Sequence, residues 1–269
     1  MCIRDSRWTA LVRPGRRLRA GATVRFGVAG AATIRRVRED GVREVELSYE
    51  GSLDDFLERA GEVPLPPYVG HASARARDGY QTVFARVPGS VAAPTASLHF
   101  TDAVFERLRE RGVAMHKLTL DVGLGTFKPI GADRIDDHVM HAEHYAIPTD
   151  TAEAISAARA EGRRVIAAGT TVVRALEGAA NLQGEVPAGT GEVNLYITPG
   201  YEFRVVDALL TNFHLPRSSL LVLVGAFAGR ARMARAYAEA IRERYRFLSF
   251  GDAMVTEREA SARTAQGMS

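Results

Sequence analysis

The stretch Val205 to Gly229 reads VVDALLTNFHLPRSSLLVLVGAFAG and carries the strongest structural signal in the chain. Its first part, Val205 to Leu210, is rich in β-branched and leucine residues, which is typical of a strand covered on both faces. Its last part, Leu220 to Ala228, is apolar all round and follows Ser218-Ser219, which offers an N-cap for a buried helix. The sequence therefore predicts two pieces of core joined by a short polar turn.

The polar turn spans Thr211 to Pro216 and places Asn212 and His214 at the carboxyl end of an interior strand. Ligands of open α/β sheets bind at that end. The apolar run of about ten residues after the turn is far shorter than the roughly 20 residues that span a bilayer. We therefore interpret the helix as core. The turn is either part of a ligand site or a simple turn whose Asn and His satisfy nearby backbone groups.

The composition is that of an ordinary globular protein: 269 residues, 46% hydrophobic and 25% charged, with a formal net charge of +3. The single cysteine, Cys2, excludes an intramolecular disulfide framework and a cysteine-cluster metal site, which suits a reducing cytoplasm. No segment resembles a signal peptide or a transmembrane helix. The pI near 9.2 permits a polyanionic partner without requiring one.

The N-terminal region has the pattern of a β domain. Residues 1 to 6, MCIRDS, lead straight into a strand pattern, and we expect them to be a non-native leader that replaces a missing N-terminus. Residues 7 to 50 show four short alternating segments at intervals of about ten residues, with a hairpin signal at Asp40-Gly41. This spacing predicts a small β-barrel domain, incomplete because of the N-terminal truncation.

Two groups of arginines lie in the turns and strands of this β domain. A charged hairpin is usually a solvated face, and the alternative is a surface that contacts the phosphates of a nucleic acid. The first group comprises Arg13, Arg16, Arg17 and Arg19, and the second comprises Arg35, Arg36 and Arg38.

The rest of the chain divides into a linker, a larger domain and a tail. Residues 51 to 79 form the linker, with a short helix from Leu53 to Ala60 followed by prolines and a polar loop. From 80 to 256 strands and helices alternate, which predicts an α/β domain as the main fold class. Residues 257 to 269 are polar, and we expect them to be disordered.

Two segments of the α/β domain carry glycines or titratable groups. Residues 123 to 127, GLGTF, allow close approach of a ligand after a strand but lack the third glycine of a dinucleotide fingerprint. Residues 136 to 144, DDHVMHAEH, form the densest titratable cluster. His138 and His141 do not have the HExxH spacing of a zinc site, so acid/base or substrate-binding work and plain surface polarity are both favoured over a metal.

A third segment has the features of an anion site. A predicted strand from Val165 to Ala168 is followed at once by Gly169-Thr170-Thr171 and a helix. Free backbone N–H groups at such a junction bind anions, and Arg174 lies one turn further on. The alternative is that one of the two threonines simply caps the helix.

Eight motifs occur in the order and spacing of one protein family. They are LPPY (65 to 68), YQTVFA (80 to 85), AAPTASLHF (92 to 100), GLGTF (123 to 127), HVMHAEHY (138 to 145), GTTVVRALE (169 to 177), LLTNFHLPRSSLLVLVGAFAG (209 to 229) and FGDAM (250 to 254). Through them the chain, from Arg7 to Thr256, resembles the S-adenosylmethionine:tRNA ribosyltransferase-isomerases of queuosine biosynthesis. Two residues depart from the family pattern: Ser97 replaces a usual glycine, and Asp121 replaces a usual histidine.

The resemblance implies a transferase in which S-adenosylmethionine donates its ribosyl group rather than its methyl group. The acceptor is the aminomethyl arm of a 7-deazaguanine at the tRNA wobble position, and the products are epoxyqueuosine-tRNA, adenine and methionine. S-adenosylmethionine is then a substrate, and we expect no cofactor, no metal and a monomeric cytoplasmic enzyme acting on the tRNA anticodon arm. A competing interpretation is a catalytically inactive tRNA-binding remnant, whereas a nicotinamide-dependent oxidoreductase lacks its glycine fingerprint.

The implied reaction requires a base for the 5′ carbon beside the sulfonium, a proton donor for adenine and an anion site for the methionine carboxylate. The candidate catalytic residues are His99, His138, His141, His214 and Asp252. The candidate substrate-binding residues are Gly123, Gly125, Thr126, Glu143, Gly169, Thr170, Thr171, Arg174 and Asn212. A tRNA substrate also strengthens the phosphate-contact interpretation of Arg13, Arg16, Arg17 and Arg19.

Overall fold

The computed structural model describes residues 6–39, 41–63, 65–69, 79–86, 90, 92–123, 140 and 142–259. The chain divides into two compact units, Met1–Pro64 and Leu65–Ser269. Among the helices in the described ranges, none has both the length and the apolar content needed to cross a bilayer.

The first unit is built on an antiparallel sheet. Its strands are β1 (Arg7–Ala10), β2 (Thr23–Arg25), β3 (Gly30–Val37) and β4 (Arg43–Tyr49), in the order β1-β4-β3-β2. The four strands expected from the alternating pattern are therefore confirmed. Barrel closure requires every strand to have two neighbours, whereas β1 and β2 each pair with one described strand, so the sheet is open and the predicted barrel is not confirmed.

Helix α1 (Leu53–Ala60) packs on this sheet. It begins at a capping box, in which the Ser52 hydroxyl accepts the Asp55 N–H and the Asp55 carboxylate accepts the Ser52 N–H. Phe56 is its buried residue, and its ring stacks on Tyr49 with centroids 4.9 Å apart. The helix thus adds its apolar face to the core of the first unit.

The second unit contains two three-stranded sheets in its described part. The first is antiparallel, in the order β5 (Thr119–Asp121), β6 (Glu143–Ile147), β8 (Gly189–Val193). The second is mixed, in the order β10 (Ala253–Glu257), β9 (Ala208–Asn212), β7 (Ile166–Ala168), with β9 parallel to β7 and antiparallel to β10. The alternation of strands and helices expected from the sequence is confirmed.

Five α-helices and two 3₁₀ turns accompany these strands in the described ranges. The 3₁₀ turns are Pro67–Val69 and Thr95–His99. The helices are α2 (Asp102–Glu110), α3 (Thr149–Ala160), α4 (Thr170–Ala179), α5 (Ser219–Ala228) and α6 (Arg230–Arg242). The Ser218 hydroxyl accepts the Leu221 N–H at the start of α5, so the predicted cap of the central helix is confirmed.

Several predicted boundaries are wrong for identifiable reasons. The strand expected from Val205 begins only at Ala208, because the N–H groups of Val205 and Val206 donate to the buried Glu177 carboxylate at 3.0 Å. The alternating residues from Val193 to Ile197 also predict a strand, but β8 ends at Val193. The final strand, predicted to include Phe250 to Asp252, starts only at Ala253 because those residues belong to a tight loop.

The core of the second unit forms around the stretch Val205 to Gly229. Leu209 on β9, Val173 on α4, and Val224 and Phe227 on α5 have no measurable exposure. They belong to one continuous cluster that also holds residues of β6 and α3. This confirms that the apolar strand and helix are core, and it fixes the position of the polar residues at the end of β9.

Candidate functional site

The site is assembled at the carboxyl end of β9. Because β7 and β9 are parallel, the residue that follows β7, Gly169, lies beside the end of β9 and donates its N–H to the Leu210 carbonyl at 2.9 Å. Asn212 is the last residue of β9 and pairs with Ala253 at the start of β10, so Asp252 lies at the same end. We call this region the β9 edge and define it by Gly169, Asn212 and Asp252.

Asn212 is the central residue of the β9 edge, with 2% of its surface exposed. Its Nδ2 donates to the Leu248 carbonyl at 3.2 Å, and its Oδ1 accepts the Thr95 hydroxyl at 3.3 Å. Because a backbone carbonyl can only accept, the amide atom beside the Leu248 carbonyl must be the nitrogen, and the atom beside the Thr95 hydroxyl is then the oxygen. The same Nδ2 lies 2.9 Å from Nε2 of His99.

The orientation of Asn212 determines the tautomer of His99. Since Nδ2 of the amide is a donor, Nε2 of His99 accepts, and the proton of the neutral imidazole lies on Nδ1. Partial burial lowers the pKa of His99 below its usual value, and the negative charge of Asp252 opposes this shift. His99 is therefore a neutral ring near pH 7 with an N–H group at Nδ1.

A tight loop from Arg246 to Asp252 supports the β9 edge. The Asp252 carboxylate accepts the Arg246 N–H at 2.7 Å, and the Asp252 N–H donates to the Arg246 carbonyl at 2.6 Å. A side chain at Gly251 would overlap the backbone of Arg246 and Phe247, so the loop closes only with glycine there. The loop also carries the Leu248 carbonyl that orients Asn212.

His214 stabilises the turn after β9. Its Nε2 lies 2.9 Å from the hydroxyl of Thr211, which is 1% exposed, and its backbone N–H donates to the Tyr237 hydroxyl at 2.9 Å. Burial of the imidazole lowers the pKa of His214 to about 4, although the residue as a whole is half-buried. His214 is thus neutral at physiological pH, and it connects the start of its own turn, at Thr211, to helix α6, at Tyr237.

Gly169 opens helix α4 and is its N-cap. Its φ of 108° and ψ of 142° belong to a region that residues with a Cβ avoid. The N-cap of α4 is Gly169, and neither Thr170 nor Thr171 caps the helix with its side chain, so the alternative in which one of them does is wrong. The Ala96 methyl lies 3.8 Å from the position of a Cβ on Gly169, which brings the 3₁₀ turn Thr95–His99 against this helix start.

Arg174 and Glu143 form a buried ion pair between α4 and β6. Nη1 of Arg174 lies 2.7 Å from Oε2 of Glu143, and both side chains are at most 7% exposed. Nε of Arg174 donates to the Leu195 carbonyl at 3.0 Å, and its buried Nη2 has no hydrogen-bond partner in the described part of the chain. The pair fixes the helix start relative to the antiparallel sheet.

The other predicted residues lie on the antiparallel sheet or outside the described ranges. Asp121 is exposed on β5 opposite His144, whose Nε2 lies 3.3 Å from Oε1 of Glu192. Gly123 is exposed just after β5, and Ser97 is buried in the 3₁₀ turn. The remaining candidates are in ranges that the structure does not describe: Gly125, Thr126, His138 and His141.

No group of three or more metal-ligating side chains occurs among the residues that the structure describes. The two histidines of the HxxH pair, His138 and His141, lie outside those residues. The absence of a metal therefore stays a prediction.

The first unit presents the first arginine group on one turn. The buried guanidinium of Arg43 holds this turn by donating to the carbonyls of Leu18 at 3.0 Å and Gly15 at 2.9 Å, and it also bonds to Gly41. The side chains carried by the turn are exposed and form no ion pair with another described residue. They are Arg13, Arg16, Arg17 and Arg19.

The second arginine group is different, because two of its members are neutralised. Arg35 pairs with Glu46, and Nε of Arg38 lies 3.1 Å from Oε1 of Glu44. Of the two groups, the turn held by Arg43 thus has more uncompensated positive charge.

Two important residues are missing from the sequence prediction. Glu177 is 2% exposed and accepts three consecutive backbone N–H groups, from Arg204, Val205 and Val206. Arg43 is 8% exposed and holds the basic turn. A charged residue within an apolar run is the signal that marks Glu177, whereas Arg43 lies among other arginines and charged residues and has no such signal.

Comparison with known proteins gives consistent matches. The family model described as "Queuosine biosynthesis protein" matches residues 1–256. The S-adenosylmethionine:tRNA ribosyltransferase-isomerase of Moorella thermoacetica is 52% identical over 250 residues, which cover 92% of this chain and 73% of that protein. The enzyme of the same name from Sorangium cellulosum is 54% identical over 260 residues, covering 94% and 69%.

A solved structure is also similar. It is the crystal structure of S-adenosylmethionine tRNA ribosyltransferase from Thermotoga maritima, which is 33% identical. The match covers 94% of this chain and 71% of that chain, with a TM-score of 0.49.

Proposed function

The chain belongs to the queuosine biosynthesis protein family, and we propose that it acts as an S-adenosylmethionine:tRNA ribosyltransferase-isomerase. In the proposed reaction the ribosyl group moves to a 7-aminomethyl-7-deazaguanine at the tRNA wobble position and isomerises, giving epoxyqueuosine-tRNA, adenine and methionine. S-adenosylmethionine is a substrate, and we propose no further cofactor and no metal. The supporting observation is the β9 edge, where Asn212 bonds to His99 and lies at the same end of the sheet as Asp252 and Gly169, the residue that opens α4.

The bond between Asn212 and His99 supports a donor role for this histidine. Its Nε2 lone pair accepts from Asn212, so Nδ1–H is the group that faces outward from this pair. We propose that Nδ1–H donates a hydrogen bond to the adenine ring, which accumulates negative charge as it leaves. Asp252, at the same edge, is a carboxylate that accepts the Arg246 N–H, so we propose that it relays a proton from solvent to the departing adenine.

The general base must then be another residue. The sulfonium acidifies the adjacent 5′ carbon, and a neutral imidazole with a free lone pair is suited to remove that proton. His214 has its Nε2 against the Thr211 hydroxyl and a pKa of about 4, which makes it a weak base in a structural turn. We propose His138 or His141 as the base. Both lie outside the residues that the structure describes.

The methionine carboxylate is proposed to bind at the start of α4. No side chain of the described residues caps the first N–H groups of this helix, and its first turn contains no acidic residue. Thr170 and Thr171 supply hydroxyls at the same place. Asn212, predicted to orient the ribose hydroxyls, is buried with its amide bonded to Thr95, Leu248 and His99, so we propose that it acts on the substrate through His99. Arg174 is proposed to act indirectly, because its guanidinium holds Glu143 and so fixes the helix start.

The RNA partner is proposed to bind the exposed arginines of the first unit. Their positive charge is not neutralised within the described residues, and the phosphates of a tRNA anticodon arm are complementary to it. A tRNA substrate also favours action in the cytoplasm. We propose that the protein acts as a monomer there.

The proposal is tested by measuring adenine release from S-adenosylmethionine in the presence of RNA that carries the 7-deazaguanine precursor. We expect release only when the protein, S-adenosylmethionine and precursor RNA are all present, with one adenine for each RNA modified. Unmodified RNA of the same sequence is the control. Tight RNA binding without adenine release would contradict the proposal and favour the inactive tRNA-binding remnant.

A further inference from the structure

An exposed aromatic ring lies beside the β9 edge without a role in the chemistry described above. Phe250 is 42% exposed and precedes Asp252 by two residues. The loop that carries it also carries the Leu248 carbonyl, which accepts from Asn212. Phe250 is therefore connected to the β9 edge through a single loop.

The loop holds Phe250 in a defined position. Asp252 and Arg246 close it with two hydrogen bonds, at 2.7 Å and 2.6 Å, and the Leu248 N–H donates to the Phe213 carbonyl at 3.0 Å. Leu248 has a φ of 71°, which is a strained backbone conformation for a residue with a branched side chain. A loop constrained in this way presents its exposed ring with little loss of conformational entropy on binding.

Buried residues pack against the Phe250 ring and its loop. Tyr80 is 3% exposed and packs edge-on to Phe250, with centroids 6.0 Å apart. Ser249 is 3% exposed and bonds through its hydroxyl to the Tyr68 hydroxyl at 2.6 Å. Since Tyr68 is 46% exposed, two aromatic rings reach the surface from one anchored cluster.

Positive charge accompanies these rings. Arg246 begins the loop, its side chain is 76% exposed, and its Nη2 lies 3.7 Å from Oδ1 of Asp252. Exposed aromatic rings with neighbouring arginines are the features with which proteins bind single-stranded nucleic acid, because rings stack on bases and cations contact phosphates.

We propose that Phe250 stacks on an unpaired base of the RNA substrate, next to the nucleotide that enters the β9 edge, with Tyr68 beside it and Arg246 contacting the backbone. This inference rests on the proposed function, because it requires an RNA loop as the substrate. It assigns to the second unit a base-contacting surface for the unpaired part of the RNA, whereas the arginine turn of the first unit contacts phosphates alone.

The test compares Phe250→Ala, Phe250→Leu and Phe250→Trp with wild type, and Leu182→Ala is the control at another exposed apolar residue, 78% exposed. Each protein is titrated with an unmodified anticodon stem–loop RNA and with a fully paired duplex, without S-adenosylmethionine. We expect Phe250→Ala and Phe250→Leu to weaken stem–loop binding by about tenfold or more. Phe250→Trp should retain it, and duplex binding should not change.

Three results would overturn the assignment: wild-type affinity in Phe250→Leu, an equal loss on duplex RNA, or an equal loss in Leu182→Ala. The KM for S-adenosylmethionine is measured in parallel, and a defect confined to that KM would assign the ring to the adenine of the small substrate. Because the titrations need no turnover, a wild-type protein that binds RNA but releases no adenine would contradict the proposed function and leave the stacking result interpretable.

Discussion

At the scale of single residues, Asn212 decides which nitrogen of His99 carries the proton. Asn212→Asp replaces a donor with a carboxylate, which would draw the proton to Nε2 and raise the pKa of His99. We expect kcat at pH 7 to fall by about tenfold or more, and the acid limb of the pH profile to move to higher pH. The measurement is adenine release against pH.

The matched control is Asn194→Asp, at an exposed asparagine, which should leave both the rate and the profile unchanged. An Asn212→Asp variant with a wild-type pH profile would contradict the tautomer assigned to His99.

The buried imidazole of His214 should make the stability of the protein, rather than its catalysis, depend on pH. Its pKa is about 4 in the folded protein against an ordinary value of 6.5, so between these pH values the unfolded chain binds more protons. The contribution of the neutral His214 ring to the free energy of unfolding is fully present above about pH 6.5. Up to about 3 kcal/mol of it is lost as the pH falls to 4. Urea unfolding of wild type and His214→Gln at pH 7 and pH 4.5 measures it.

We expect wild type to lose more stability than His214→Gln between pH 7 and pH 4.5, because only wild type has to keep an imidazole neutral on folding. His116→Asn, at an exposed histidine, is the control. A difference that stays constant between the two pH values would show that the His214 ring is not held neutral by burial.

The sequence identifies Asn212 as a residue at the end of an interior strand, and the structure confirms that position. Its partner is not readable from the sequence, because His99 lies 113 residues earlier and no local spacing links the two. Tautomer and pKa depend on such distant contacts, which is why the sequence yields a set of candidate histidines without their roles.

At the scale of elements, the junction between β7 and α4 depends on the backbone of Gly169. Gly169→Ala has room for its methyl group, since the nearest atom would lie 3.7 Å away, but its φ of 108° is strained for alanine. We expect a loss of stability of about 1–3 kcal/mol, measured by urea unfolding. An unchanged stability would contradict the conformation assigned to the helix start.

Gly123→Ala is the control for this substitution, because Gly123 has no positive φ and no atom of a described residue lies within 4 Å of its Cβ position. It should be neutral in the same unfolding experiment.

Elements were predictable where periodicity is strong, and their ends were not. The central helix α5 and its Ser218 cap follow from the sequence because both depend on neighbours along the chain. The start of β9 does not, because Glu177 on α4 takes the N–H groups that the strand pattern assigns to the sheet. Tertiary hydrogen bonds of this kind override local propensity.

At the scale of the whole molecule, the distribution of charge predicts how RNA affinity responds to salt. Arg16→Ala with Arg17→Ala removes exposed charges from the turn that Arg43 holds. We expect weaker RNA binding and a salt slope reduced by roughly 1 for each phosphate that the protein no longer neutralises. Fluorescence titration over a range of salt concentrations provides the measurement.

Arg35→Ala with Arg38→Ala is the matched control, since both arginines pair with glutamates and should contribute less. RNA affinity nearly independent of ionic strength would contradict the phosphate-binding role of the turn.

The mixed α/β class and the four N-terminal strands are readable from alternation and turn residues, whereas the division of the larger unit into two sheets is not. Strand pairing joins residues distant in sequence, as between β7 and β9, and single-sequence periodicity contains no pairing information.

Donation of the ribosyl group by S-adenosylmethionine is the step on which the proposed function depends, and isotope labelling follows that group itself. The protein is incubated with precursor RNA and S-adenosylmethionine labelled either in the ribose or in the methyl group. We predict that the RNA gains the ribose label alone while unlabelled adenine is released. Transfer of the methyl label to RNA, or RNA that gains neither label, would contradict ribosyl transfer.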